Sequence, residues 1–191
     1  MKKRTVALLL ALVLLIGGAV GGTVAWLAMK TDSITNTFTA GNINITLTET
    51  DTDPNTDGNQ YEFKMVPGAE ITKDPTVTVK ANSEACWLFV KVVEVNNADP
   101  QFLDYTIADD WTAVDGALGV YYCAVTAADA DQEFPVLADD QVTVSEDITK
   151  SQLDTAETSG KLPTLTFTAY AVQQVGFATA AAAWVEAAKL G

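Results

Sequence analysis

Apolar and polar residues alternate with a period of two along much of the chain. In Asn42–Glu49 (NINITLTE), Ile43, Ile45 and Leu47 fall on one side and Asn44, Thr46 and Thr48 on the other, as in a half-buried strand. Thr76–Lys80 (TVTVK) repeats the pattern with Val77 and Val79. Cys86–Val95 (CWLFVKVVEV) is more continuously apolar and β-branched, which predicts a central strand. Leu118–Val125, Val142–Ser145 and Leu165–Gln173 bring the expected strands to at least six. Turn-forming pairs lie between them: Pro67-Gly68, Asp74-Pro75, Asp99-Pro100 and Asp115-Gly116. Strands at this spacing predict a β-sandwich or barrel. One helix stands out, Ala178–Leu190 (ATAAAAWVEAAKL), with Ala182, Val185 and Ala188 expected to face the body and Trp184 across the edge of that face. The expected fold class is all-β, a sandwich with a short C-terminal α-helix.

The first residues follow a different pattern. Met1-Lys2-Lys3-Arg4 is a cationic start, Thr5–Val20 (TVALLLALVLLIGGAV) is apolar, and Gly21-Gly22-Thr23-Val24-Ala25 supplies small residues for peptidase access. Thr23 and Ala25 meet the small-x-small rule, so residues 1–25 are expected to be a signal peptide cut after Ala25, with a cut after Ala28 as second choice. The rival is an uncleaved anchor, because no charge interrupts the chain between Arg4 and Lys30 and a stretch of that length can cross a hydrocarbon core of about 30 Å. Four glycines (Gly17, Gly18, Gly21, Gly22) weaken that reading. Membrane contact is therefore expected only through this segment if uncleaved. Residues 26–191 form one secreted, cell-surface-associated domain in this reading, with no repeat or linker marking a second.

Composition narrows the function. The 191 residues include 25 acidic and 11 basic side chains, and without Lys2, Lys3 and Arg4 the remainder carries eight basic groups and a balance of −17. Such a surface repels nucleic acid, whose recognition needs phosphate neutralisation by Lys and Arg. There is no histidine. Serine–histidine and cysteine–histidine nucleophile systems and His-based zinc sites are thereby excluded, and no enzyme activity is expected.

The strongest candidate site is the acidic loop Asp51–Glu62 (DTDPNTDGNQYE). Calcium takes several oxygen ligands at alternating positions on a tightly turning backbone, which Asp53, Asn55 and Asp57 supply ahead of Gly58. Counted from Asp53, the twelfth position is Lys64; counted from Asp51 it is Glu62, but Thr56 then occupies the glycine position. Neither register completes an EF-hand, and a solvated hairpin loop is the plain alternative. Calcium is the one cofactor the sequence suggests. Cys86 and Cys123 lie in strand-like runs of an exported chain, so a disulfide and two separately buried thiols both remain open. The acidic pairs Asp109-Asp110, Asp139-Asp140 and Glu146-Asp147 are expected on a solvated face. Most of Trp87, Trp111, Tyr121, Tyr122 and Trp184 are expected in the core rather than on a carbohydrate platform.

An ordered set of segments resembles the TasA/camelysin-type proteins of Gram-positive bacteria, whose precursors carry SipW-dependent signal peptides. These are Gly21–Leu27, Thr35–Gly41 (TNTFTAG), Lys64–Gly68 (KMVPG), Lys73–Val77 (KDPTV), Ser83–Val90 (SEACWLFV) and Thr168–Gln173 (TAYAVQ), with Trp184 in the final helix. The resemblance implies a jelly-roll-like β-sandwich, processing by a dedicated signal peptidase, and a place in extracellular fibres or biofilm matrix through self-association or contact with related matrix proteins. In such fibres a freed N-terminal segment adds as a strand to the next subunit; here the donor is Trp26–Thr39, carrying Ile34 and Phe38. Metalloprotease activity, described for camelysin-type proteins, does not carry over to a chain without HExxH or any histidine.

Overall fold

A computed structural model describes residues 41–50 and 63–190, all within one compact unit, Ala40–Gly191. Its strands are β1 (Ile45–Thr48), β2 (Glu70–Thr72), β3 (Thr76–Val79), β4 (Cys86–Val95), β5 (Leu103–Asp104), β6 (Thr112–Ala113), β7 (Val120–Val125), β8 (Gln132–Pro135), β9 (Gln141–Val144) and β10 (Thr164–Gln173). Two α-helices join them, α1 (Lys150–Thr158) and α2 (Ala180–Ala187). The strands form three antiparallel sheets in the orders β1-β3-β8, β10-β4-β7-β6 and β2-β9-β5. The chain forms the all-β sandwich with a short C-terminal helix that its alternation predicts.

β4 organises the molecule because its run of apolar residues has something to bury on both faces. It pairs with β10 over all ten residues, from Cys86↔Gln173 to Val95↔Thr164, and with β7 on its other side. Cys86, Leu88 and Val90 point into a core shared with Val77 and Val79 of β3 and Cys123 and Val125 of β7. Leu88, Val90 and Val77 are fully buried, each contributing roughly 1.5–3 kcal/mol. The alternate residues Trp87 and Phe89 face the other way, onto α2. A further core collects Leu103, Val142, Val144, Ile148 and Ala156 against Leu165 and Phe167 at the start of β10.

The C-terminal helix is rotated from its expected phase. Its buried stripe is Ala180, Ala183 and Ala187, whereas Val185 is 59 % exposed and Ala182 and Ala188 lie on the solvent side. Trp184 determines this orientation: its ring packs on Phe89 (centroids 5.4 Å apart) and edge-on against Tyr170 (5.4 Å). Burying an indole outweighs burying the side chain of Val185, and Thr179 caps the helix by accepting the Ala182 N–H. Helix α1 was absent from the hydrophobic pattern because only Ala156 of its nine residues is buried. A reciprocal capping box between Thr149 and Gln152 starts it.

Candidate functional site

Ala25, Ile34 and Phe38, and the loop residues Asp51, Asp53, Asn55, Asp57 and Glu62, lie outside the described residues. The anchors at both ends of that acidic loop are described. Lys73 forms an ion pair with Glu49 (2.7 Å), both side chains being 11 % exposed, and its ammonium stands 5.2 Å from the Phe63 ring centroid and 5.7 Å from that of Phe167. Asp74 accepts the Thr50 N–H at 2.8 Å. Residues 49–50 and 63 are thus tied to one point beside β3. Among the described residues no group of three or more acidic or cysteine side chains is placed to hold a metal. Asp109-Asp110, Asp139-Asp140 and Glu146-Asp147 are exposed, as a solvated face requires.

Cys86 and Cys123 are both buried and both free thiols, not joined. Their strands explain the separation. Cys86 stands opposite Val125 and Cys123 opposite Leu88, so the two share a face on a diagonal, two residues out of register. Diagonal positions lie about 7–8 Å apart, beyond the usual Cα span of a disulfide. Burial pushes the Cys86 thiol up to about 11; burial, then Cys86 and Asp110, push Cys123 up to about 12. Both are protonated, unreactive packing groups at neutral pH.

The sandwich has an open side. Among the described residues, β1 ends the first sheet and β10 ends the second, and neither has a strand on its outer edge. The two ends approach across a groove of about 420 Å³ lined by Ile43, Ile45, Ala169, Tyr170, Ala171 and Leu190. Leu190 is 74 % exposed. The edge of β10 is long and carries none of the usual guards: Thr164–Gln173 (TLTFTAYAVQ) contains no charge and no proline, and its pairing with β4 runs without a bulge.

A second concavity lies where β4 ends, and sequence reasoning missed it. Asn97, 8 % exposed, accepts the N–H groups of Phe102 (3.0 Å) and Leu103 (2.7 Å) at Oδ1. Its Nδ2 donates to the Leu103 carbonyl (3.0 Å) and to Glu94 Oε2 (2.7 Å). The Tyr105 hydroxyl donates to Glu94 Oε1 at 2.5 Å. Burial, and then this bond to a carboxylate, raise the Tyr105 phenol above its ordinary value. Glu94, Gln101, Leu103, Tyr105, Ile107 and Tyr121 line an open cavity of about 390 Å³. The only available signal was the turn Asn96–Pro100, which returns the chain toward Glu94.

No protein-family model matches this chain, and no curated protein or solved structure is a match to it.

Proposed function

We propose that the chain is a secreted structural subunit of extracellular matrix or biofilm fibres, of the TasA/camelysin type, exported on residues 1–25 and without enzyme activity. The observation that carries this reading is the unguarded ten-residue edge of β10 facing the edge of β1 across an apolar groove. Sheet edges present unpaired N–H and C=O groups, and soluble proteins ordinarily blunt them with charge, proline or bulges. An edge without such guards suits an incoming strand, whose main-chain hydrogen bonds supply affinity while alternate side chains enter the groove. Trp26–Thr39 of a neighbouring subunit has the composition for that role, with Ile34 and Phe38 spaced four apart among polar residues. The balance of −17 keeps subunits soluble until strands pair.

Negative-stain electron microscopy of protein beginning at Trp26, beside protein beginning at Gly41, tests this. Filaments are expected from the longer form alone. Absence of filaments from both forms across a wide concentration range would end the strand-donation reading. A monomeric surface-displayed binding module would then lead, favoured by the cavity beside Glu94.

A further inference from the structure

We propose that the cavity at the end of β4 is a binding site for an alkylammonium group, held between the Glu94 carboxylate and the rings of Tyr105 and Tyr121. The reading is independent of fibre assembly and rests on an unbalanced charge. Glu94 takes hydrogen bonds from two neutral donors, Asn97 Nδ2 and the Tyr105 hydroxyl, which orient the carboxylate without cancelling it. None of the ion pairs among the described residues uses Glu94, and no lysine lines the cavity. The Asp104 carboxylate lies close by, held by the Gln101 amide at 2.5 Å, and adds negative potential. The lining is mixed: Gln101 and Thr106 stand beside Glu94, and Tyr105, Tyr121, Leu103 and Ile107 complete the walls.

A carboxylate fixed beside tyrosine rings is complementary to a cation with an apolar surround, because ring faces attract positive charge and the carboxylate supplies the counter-ion. Anions are repelled. A neutral sugar would leave the charge of Glu94 unanswered. The site is also built in advance. Leu103 is buried, Asn97 uses both ends of its amide to fix the 97–103 loop, and Tyr121 stands on β7 within the central sheet. Little ordering remains to oppose binding. The shared chemistry fits two sources, a small free amine such as choline or a lysine side chain of a protein.

The test is an NMR titration of the full 191-residue chain in a non-ionic detergent, with backbone amides as the readout. Choline chloride and Nα-acetyl-lysine methylamide are the probes, with potassium chloride and glucose as comparators. Saturable shifts centred on Gln101, Tyr105 and Tyr121 are expected with either amine, at a Kd on the order of 1–10 mM. Tighter binding of choline assigns a small quaternary amine; tighter binding of the lysine analogue assigns a lysine side chain. Glu94→Gln should weaken binding about tenfold or more, whereas Glu186→Gln on α2 should leave it unchanged. If Glu94→Gln fails to fold, Tyr105→Leu takes its place with the same expected loss. Equal shifts from glucose or potassium chloride, no saturable shift from either amine, or full affinity in a folded Glu94→Gln or Tyr105→Leu protein would each overturn the proposal.

Discussion

Gly119 sits where β7 begins, with φ +68°, and a Cβ built there would lie 2.5 Å from the Val92 carbonyl oxygen. That carbonyl belongs to the central strand and cannot retreat, since the Val92 N–H also bonds Gly119 O at 2.8 Å. Gly116 in the same turn has φ +76° but nothing within 4 Å of its added Cβ. Gly116→Ala should therefore cost only the left-handed penalty, about 1–2 kcal/mol, and Gly119→Ala distinctly more, because strain and collision add. Urea denaturation of the two variants separates these terms; equal losses would mean that the Val92 contact relaxes freely. The cysteines give a residue-scale prediction about pH. Their folded pKa values, about 11 and about 12, lie above the ordinary 9.0, so the folded state holds these protons longer. That contribution is complete below about pH 9 and declines as pH rises toward the folded values, by about 1.4 kcal/mol per pH unit per thiol. A Cys86→Ala/Cys123→Ala protein should lose stability less steeply than the parent between about pH 9 and about pH 10.5. Parallel slopes would show that the thiols take no part.

At the scale of elements, the turn after Leu137 holds the one consecutive pair of positive-φ non-glycine residues among the described residues. Asp139 (φ 56°) and Asp140 (φ 53°) are consecutive left-handed residues, closed by the Gln141 N–H on the Ala138 carbonyl. Turns of this hand favour glycine at the second position, so Asp140→Gly should raise stability by about 0.5–1 kcal/mol, read as a higher urea midpoint at unchanged slope. Helix α2 is held by its buried alanine stripe together with the half-buried Trp184, so Trp184→Ala should lower stability by less than the about 3–5 kcal/mol of a fully buried tryptophan, read by urea denaturation. The elements also show what a sequence makes legible. β4 could be read from its long, continuously apolar and β-branched run, and β10 from its strand pattern over Leu165–Gln173. β5 and β6 could not, because a two-residue strand exists only through its partner. Helix α1 announced itself only through Thr149 and Gln152, a capping box preceding a segment with little to bury. The phase of α2 depended on a packing choice between Trp184 and Val185 that no periodicity encodes. The cysteines were rightly placed in strands, but their diagonal offset comes from the β4–β7 register. The meeting of Glu94, Asn97 and Tyr105 arises from a loop closing on itself, and no spacing rule anticipates it.

For the whole molecule, β10 is the wall common to all three cores. Phe167 packs against two of them, and Tyr170 and Val172 against the third, beneath α2. Residues 86–91 of β4 lie between β10 and β7, so their amides should exchange with solvent most slowly and report global unfolding. Native-state hydrogen exchange measures this directly; faster exchange in β4 than in β3 would contradict it. The uninterrupted ten-pair union of β4 and β10 also has a mechanical meaning. Tension applied along the strand axis loads all of its cross-strand bonds together, in shear, whereas tension across the strands would open them one at a time. A neighbour attached lengthwise to β10 would therefore pull on the molecule in its most resistant direction, and the load would pass at once into the long strand beside it in the sheet.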